Sequence, residues 1–280
     1  MELLSPDAPA YPRRRRTNAD ILALTSPSWL IPGCVVGGAL NMLTGFAKSG
    51  KSYVTLHWAL EAAKGGHKVL YVPAEAENQF KPRLQAHLAE YGDEGGDNMQ
   101  WWYEEEILND PAQHEELMLS IAADPPALVV VDTLSAAAGG FEENDSGAHV
   151  LMAQRAALLT RSGSAVLLVH HTGHNKGRGI GSSAQMRRPA VTLNLTRDDE
   201  KHPGYSVLQQ PSGGGGGRFA GTVDTRWYEF KSVRIAAEKA DDGFTAMDTA
   251  HVVAESDGPP AYEGEPETAK LPASVTKEDY

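Results

Sequence analysis

Cysteine is almost missing from this chain. Cys34 is the only one in 280 residues, which excludes an intrachain disulfide and any metal site built from a cysteine cluster. Long apolar runs are also missing. None approaches the roughly 18 residues needed to cross a bilayer. The N-terminus lacks the apolar stretch of a secretory signal, so a cytoplasmic location with no membrane partner is expected. Positive charge is scarce. There are 25 Lys and Arg against 37 Asp and Glu, a net charge of −12. A uniformly basic nucleic-acid coat is thereby excluded, but a local basic strip in an oligomer is not. The apolar fraction of 41% is enough for a substantial core.

The clearest positive feature is Gly45-Phe46-Ala47-Lys48-Ser49-Gly50-Lys51-Ser52, which matches G-x-x-x-x-G-K-[ST] at every fixed position. Two glycines let the backbone turn tightly, so that successive N–H groups face one concavity and bind phosphate oxygens. Lys51 adds a point charge at the β- and γ-phosphates, and the Ser52 hydroxyl is a Mg²⁺ ligand. The context fits. Leu40 to Thr44 reads as a short buried strand entering the loop. Lys51 to Lys64 reads as a helix leaving it, with Tyr53, Leu56, Trp58 and Leu60 among its apolar positions. The helix dipole then favours an anion. Gly45 through Tyr53 are the expected ATP-binding residues.

Strand and helix patterns alternate beyond the loop. Lys68 to Val72 and Met99 to Tyr103 read as strands. Pro82 is placed to start a helix with Leu84, Leu88 and Tyr91 on its apolar face, and Pro111 to start another reaching about Ala123. Ala127 to Val131 and Ala165 to Val169 are continuous apolar runs, as expected of strands buried on both faces. A helix at about 147–161 separates them. The series predicts an α/β fold, a mostly parallel central sheet flanked by helices. Ala190–Thr196, Tyr205–Gln209, Arg226–Ile235 and Phe244–Val253 follow without helices and predict a C-terminal antiparallel extension. Gly213 to Gly217 reads as a flexible loop between two of these strands.

Chemistry-bearing residues cluster at the predicted strand ends. Asp132 closes the run Leu128 to Asp132, where a carboxylate at the sheet edge holds Mg²⁺ directly or through water; a turn-capping aspartate is the alternative. Glu75 and Glu77 follow the second strand, and either is placed to orient or deprotonate an attacking water. His170 and His171 end the strand after Ala165. They suit a γ-phosphate sensor or a purely structural strand end. With His174 they make zinc conceivable, but no carboxylate or cysteine lies at ligand spacing.

Taken in order, Gly45–Ser52, Val72-Pro73-Ala74-Glu75, Val130-Val131-Asp132-Thr133-Leu134 and Val169-His170-His171-Thr172-Gly173 resemble RecA-fold P-loop ATPases of the RepA type. That group includes plasmid hexameric replicative helicases and many phage-encoded AAA family ATPases. Trp29-Leu30-Ile31-Pro32-Gly33 and Glu142-Glu143-Asn144-Asp145 share the likeness, which covers about residues 20–200. The resemblance implies ATP and Mg²⁺ as cofactors, with Lys51 and Ser52 on phosphate and metal and Asp132 on the metal. It implies Glu75 as catalytic carboxylate and His171 as sensor. It also implies a homo-oligomeric, hexameric ring acting on single-stranded DNA beside replication or recombination proteins. The segment Thr172 to Pro189 then corresponds to a DNA-facing loop. Its Lys176, Arg178, Arg187 and Arg188, with no acidic residue, suit phosphate contacts; a solvated basic loop is the bland alternative.

Two departures stand out. The Arg-Gly-Ser-Ser-Ala pattern of the family is interrupted in Arg178-Gly179-Ile180-Gly181-Ser182-Ser183-Ala184. The strand that carries a trans-acting lysine or arginine in relatives reads Ser206 to Pro211, with Gln209 and Gln210 at its end. Arg197 or Arg218 is left as the candidate cation. A slowly hydrolysing, ATP-controlled assembly or loading factor is therefore the alternative to a helicase motor, and a small-molecule kinase a third reading. The expected layout is a disordered basic arm at 1–19 containing Arg13 to Arg16, an ATPase domain at 20–254, and a disordered acidic tail at 255–280.

Overall fold

The computed structural model describes residues 17–22, 28–74, 79–92, 95–104, 106–139, 146–171, 189–197, 199–210, 224–239 and 246–259. Residues 1–16 of the basic arm, Glu75 to Asn78, Glu142 to Asp145, the segment 172–188, Gly213 to Arg218 and the chain from residue 260 lie outside the described residues. A short helix α1 (Asn18–Leu22) leads to a small antiparallel pair, β1 (Trp29–Ile31) and β2 (Val35–Val36). Then come β3 (Leu40–Gly45), α2 (Lys51–Lys64), β4 (Val69–Pro73), α3 (Phe80–Tyr91), β5 (Met99–Trp101), α4 (Pro111–Ala123) and β6 (Leu128–Asp132). They are followed by α5 (Leu134–Ala137), α6 (Ser146–Leu159), β7 (Ala165–His171), β8 (Val191–Arg197), β9 (Tyr205–Gln209), β10 (Arg226–Lys239) and β11 (Ala246–Ser256).

Nine strands form one sheet in the order β11-β10-β9-β8-β3-β7-β6-β4-β5. The strands from β8 to β5 in that order run parallel, and β9, β10 and β11 extend the sheet antiparallel. The expected architecture is thus the observed one, with one refinement: β8 is parallel to β3 and only its other edge begins the antiparallel part. β3, β4 and β6 are buried at every position, so their near-uniform apolar sequences follow from having helices on both faces. One face packs Val54, Leu56, Trp58 and Leu60 of α2 on Leu43, Val69, Val130 and Leu167. The other face packs Leu117, Ile121, Met152 and Leu159 on Met42, Val129, Val131 and Leu168. Asn41 is buried mid-strand because its side chain serves β2, accepting from the Val36 N–H at 2.9 Å and donating to the Val36 carbonyl at 3.0 Å.

Local chemistry sets several boundaries. Pro111 occupies the first turn of α4, and Asp110 caps it by accepting from the N–H groups of Ala112 (2.7 Å) and Gln113 (3.1 Å). α3 departs from expectation. It starts at Phe80, two residues before Pro82, and Leu88 is exposed. Its buried residues are Phe80, Ala86 and His87: Phe80 packs beside Tyr71 and Trp101, Ala86 meets Ala250 and Val252 of β11, and His87 lies beside His57 and Tyr91. β11 runs through Glu255 to Ser256, past the expected start of the tail.

The antiparallel extension is tied to the first helix after the loop by one buried hydrogen bond. Trp58 Nε1–H donates to Tyr228 Oη at 2.9 Å, and Tyr228 is fully buried. Replacing Tyr228 by Phe leaves that N–H without its acceptor, at a cost of about 1–3 kcal/mol. Urea unfolding of Tyr228→Phe is expected to show a lowered midpoint at an unchanged slope; an unchanged midpoint would mean that the bond contributes nothing.

Candidate nucleotide and metal site

Parallel register decides which residues meet. Gly45 at the end of β3 is level with His171 at the end of β7, and Asp132 at the end of β6 is level with Val169. β4 brings Pro73 level with Asp132. All four strand ends therefore open on one edge of the sheet, where ligands bind in open α/β folds.

The loop between β3 and α2 has the geometry of an anion cradle. Lys48 and Gly50 both have positive φ, 64° and 90°. Phe46, Ala47 and Lys48 are exposed at its tip, whereas Ser49 and Lys51 are buried. Lys51 folds back, donating from Nζ to the carbonyls of Gly45 (2.9 Å) and Phe46 (2.7 Å). α2 starts directly at Lys51 with no acidic residue in its first turn, so its positive end faces the loop. The glycines are required by close approach as well as by φ. A Cβ on Gly45 would meet the Leu195 carbonyl oxygen at 2.3 Å, and one on Gly50 would meet the Phe230 ring at 2.1 Å.

Asp132 stands beside the loop, held by two hydroxyls. Ser52 Oγ–H donates to Asp132 Oδ1 at 3.2 Å, and Tyr71 O–H donates to Oδ2 at 2.7 Å. Tyr71 is fully buried and its hydroxyl also lies 3.0 Å from Thr55 Oγ1. Burial first, and the neighbouring Asp132 charge second, push the Tyr71 phenol well above its ordinary value, so it stays a proton donor. The Asp132–Thr133 peptide is cis. A hydroxyl and a carboxylate side by side, next to a phosphate cradle, are the hard oxygen donors that Mg²⁺ takes together with nucleotide phosphates. The residues present thus fit Mg-ATP: Lys51 and the loop for phosphate, Ser52 and Asp132 for the ion.

The sequence expectations meet this edge unevenly. Gly45 to Tyr53, Asp132 and His171 are brought together, and His170 is buried while His171 is half-buried. Glu75 and Glu77 lie outside the described residues, although Ala74, one position before Glu75, donates its N–H to the Asp132 carbonyl at 2.9 Å. Lys176, Arg178, Arg187, Arg188 and Arg218 also lie outside them. Arg197 sits with its guanidinium 4.7 Å from the Phe230 ring centre and its Nε bonded to Asp199 at 2.8 Å and 3.0 Å. Phe230 covers Gly50, so Arg197 stands beside the phosphate loop of its own chain. The sequence reading missed Tyr71, Phe230 and Ser206, whose Oγ–H donates to the Ser49 carbonyl at 2.9 Å. Tyr71 carried a signal: a hydroxyl inside a fully buried strand must find a partner.

The comparisons agree with this geometry. A family model described as AAA domain (AAA_25) matches residues 9–177, more than half of the chain, and the chain belongs to that family. Among solved structures, the RadB recombinase is similar at 19% identity, covering 70% of this chain and 88% of that one with a TM-score of 0.51. A KaiC-like protein from the hyperthermophilic archaeon Pyrococcus horikoshii OT3 is similar at 14% identity, covering 79% and 91% with a TM-score of 0.54. No curated protein matches. The protein is a RecA-fold P-loop ATPase by class. No helix among the described residues is long and apolar enough to cross a membrane.

Gly50→Ala tests the cradle. The added Cβ strikes Phe230 and forces a left-handed alanine, worth about 1–2 kcal/mol by itself. Titration with a fluorescent ATP analogue is expected to show affinity reduced about tenfold or more. Adding Phe230→Ala is expected to recover part of it by removing the clash but not the strain.

Proposed function

We propose that this protein is a Mg²⁺-dependent ATPase that acts on single-stranded DNA in replication or recombination, as a RepA-like motor assembled into a homo-oligomeric, hexameric ring. The observation that carries the ATPase part is the Ser52–Asp132 hydrogen bond beside the phosphate loop, which sets a metal-ligating pair next to Lys51. Mg²⁺ bound with ATP supplies neutralisation of charge during phosphoryl transfer. This chain's residues do the remainder. Lys51 leaves the loop carbonyls to meet phosphate oxygens. Tyr71 holds the Asp132 carboxylate in place. Glu75 takes or orients a proton of the attacking water, and His171, level with Gly45, hydrogen-bonds the terminal phosphate.

The DNA part is supported by the segment 172–189, which begins directly after His171 and holds Lys176, Arg178, Arg187 and Arg188 without an acidic residue. A segment that follows His171 directly in sequence would couple nucleotide state to strand contact. The fold likeness to a recombinase supports the same reading. The alternative, a slowly hydrolysing assembly or loading factor, is favoured by one feature. β9 ends in Gln209, followed by Gln210, where a trans-acting cation is needed for fast transfer.

ATP hydrolysis measured with and without single-stranded DNA separates these readings. Strong DNA stimulation is expected of the motor, slow unstimulated turnover with ATP-dependent oligomers of the loading factor, and turnover indifferent to DNA of a small-molecule kinase. In the same assay Lys51→Ala is expected to abolish tight ATP binding. Glu75→Gln is expected to keep Mg-ATP bound and lose about 10²-fold or more in turnover. If Glu77→Gln gives that defect instead, the catalytic carboxylate is two residues further on.

Replacing Lys176, Arg178, Arg187 and Arg188 together by Ala tests the DNA surface. Affinity for single-stranded DNA is expected to fall. Its log–log salt slope is expected to flatten by up to about 0.7 per lost phosphate contact. Unaltered affinity and slope would remove the loop from the DNA interface.

A further inference from the structure

His57, Glu61 and His87 form a second cluster of ligating side chains, on α2 and α3 and apart from the Ser52–Asp132 pair. One ligand atom of each lies within 4.8 Å of the other two. His57 and Glu61 are four residues apart on α2, so their side chains stack on one helix face. His87 reaches across from α3. The His57 and His87 rings are 5.9 Å apart, and Tyr91 walls the cluster, 4.5 Å from His87 and 5.7 Å from His57. Tyr91 is itself pinned, donating its O–H to the Val253 carbonyl at 2.8 Å.

Packing alone leaves this arrangement unexplained. His57 Nδ1 is buried and has no hydrogen-bond partner among the described residues, a cost that native structures seldom leave unmet. Glu61 is half-exposed and has only a 4.0 Å contact with Lys64, which contributes little at a surface. Nitrogen and oxygen donors at about 2.0–2.1 Å from a tetrahedral ion stand about 3.3 Å apart. Binding requires the three atoms to close from within 4.8 Å to that spacing.

We infer that His57, Glu61 and His87 bind one first-row divalent transition metal ion, zinc among them, which cross-braces α2 and α3. Two imidazoles and one carboxylate select such an ion over Mg²⁺, which prefers an all-oxygen shell. Three protein ligands leave a fourth position for water. The position matters for the fold. α2 begins at the phosphate-loop lysine, and α3 follows the segment that carries Glu75. A metal joining the two helices fixes both elements that flank the nucleotide edge. This site stands independently of the proposed ATPase activity, and its test uses no nucleotide.

The full chain, stripped with a chelator and desalted, is titrated with Co²⁺ and then with Zn²⁺. The expected result is a visible cobalt absorption of four-coordinate intensity that saturates at one equivalent and is displaced by zinc. Zinc is also expected to raise the Tm. Glu61→Gln changes a half-exposed side chain and leaves the fold intact. It is expected to weaken metal binding about tenfold or more, and to shrink the zinc-dependent rise in Tm. His87→Gln is expected to weaken binding similarly, provided its circular dichroism matches the wild type. His67→Gln, at an exposed histidine outside the cluster, is the control and is expected to change nothing. No saturable binding in the wild type, or equal binding by wild type and Glu61→Gln, overturns the proposal.

Discussion

The parallel register of β3, β7, β6 and β4 is the constraint on which the rest of this protein depends. Those strands are buried on both faces and carry no turn chemistry within them, so hydrophobic burial and ladder hydrogen bonds fix their alignment. A slip of one residue would send every side chain to the opposite face. With the register set, Gly45, His171 and Asp132 are presented at one edge and Ser52 reaches Asp132. The setting of the phosphate loop, the Ser52–Asp132 pair and His171 at one edge follows from that one alignment.

β8 and the antiparallel strands beyond it close this edge from the side. Leu195 on β8 approaches Gly45, Ser206 on β9 bonds the Ser49 carbonyl, and Phe230 on β10 covers Gly50. Three successive strands, β8 and the first two of the extension, therefore touch the phosphate loop. The Trp58–Tyr228 bond locks the same extension to α2. Arg197 is drawn into this layer by Phe230 and Asp199. The sheet extension is thus a support for the loop and not a separate module.

Legibility in the sequence varied with the range of the forces involved. The boundaries of α2 and α4 could be read to the residue, because Gly50, Gly65, Asp110 and Pro111 act locally. The inner face of α3 could be read only in part. Of Leu84, Leu88 and Tyr91, Leu84 and Tyr91 pack inward but Leu88 is exposed, and the hairpin of β10 and β11, from more than a hundred residues away, packs on Ala86. α1, the β1–β2 pair and α5 are too short to carry a periodic signal, and none was anticipated.

By itself the sequence carried the P-loop signature and the parallel-sheet class of the fold. A glycine-spaced loop with Lys51 and Ser52, and a hydrophobic strand ending in Asp132, have few other uses, because each residue type is required by a phosphate or a hard cation. Tertiary structure alone decided which groups hold those residues in place: Tyr71 on the second oxygen of Asp132, Phe230 over Gly50, and Ser206 on the loop carbonyl. It alone also brought His87 to His57 and Glu61 across two helices. The reason is physical. A motif is written by what neighbouring residues do to one another along the chain. Support and cross-bracing come from partners distant in sequence, which only the folded sheet places within a bond length of the site.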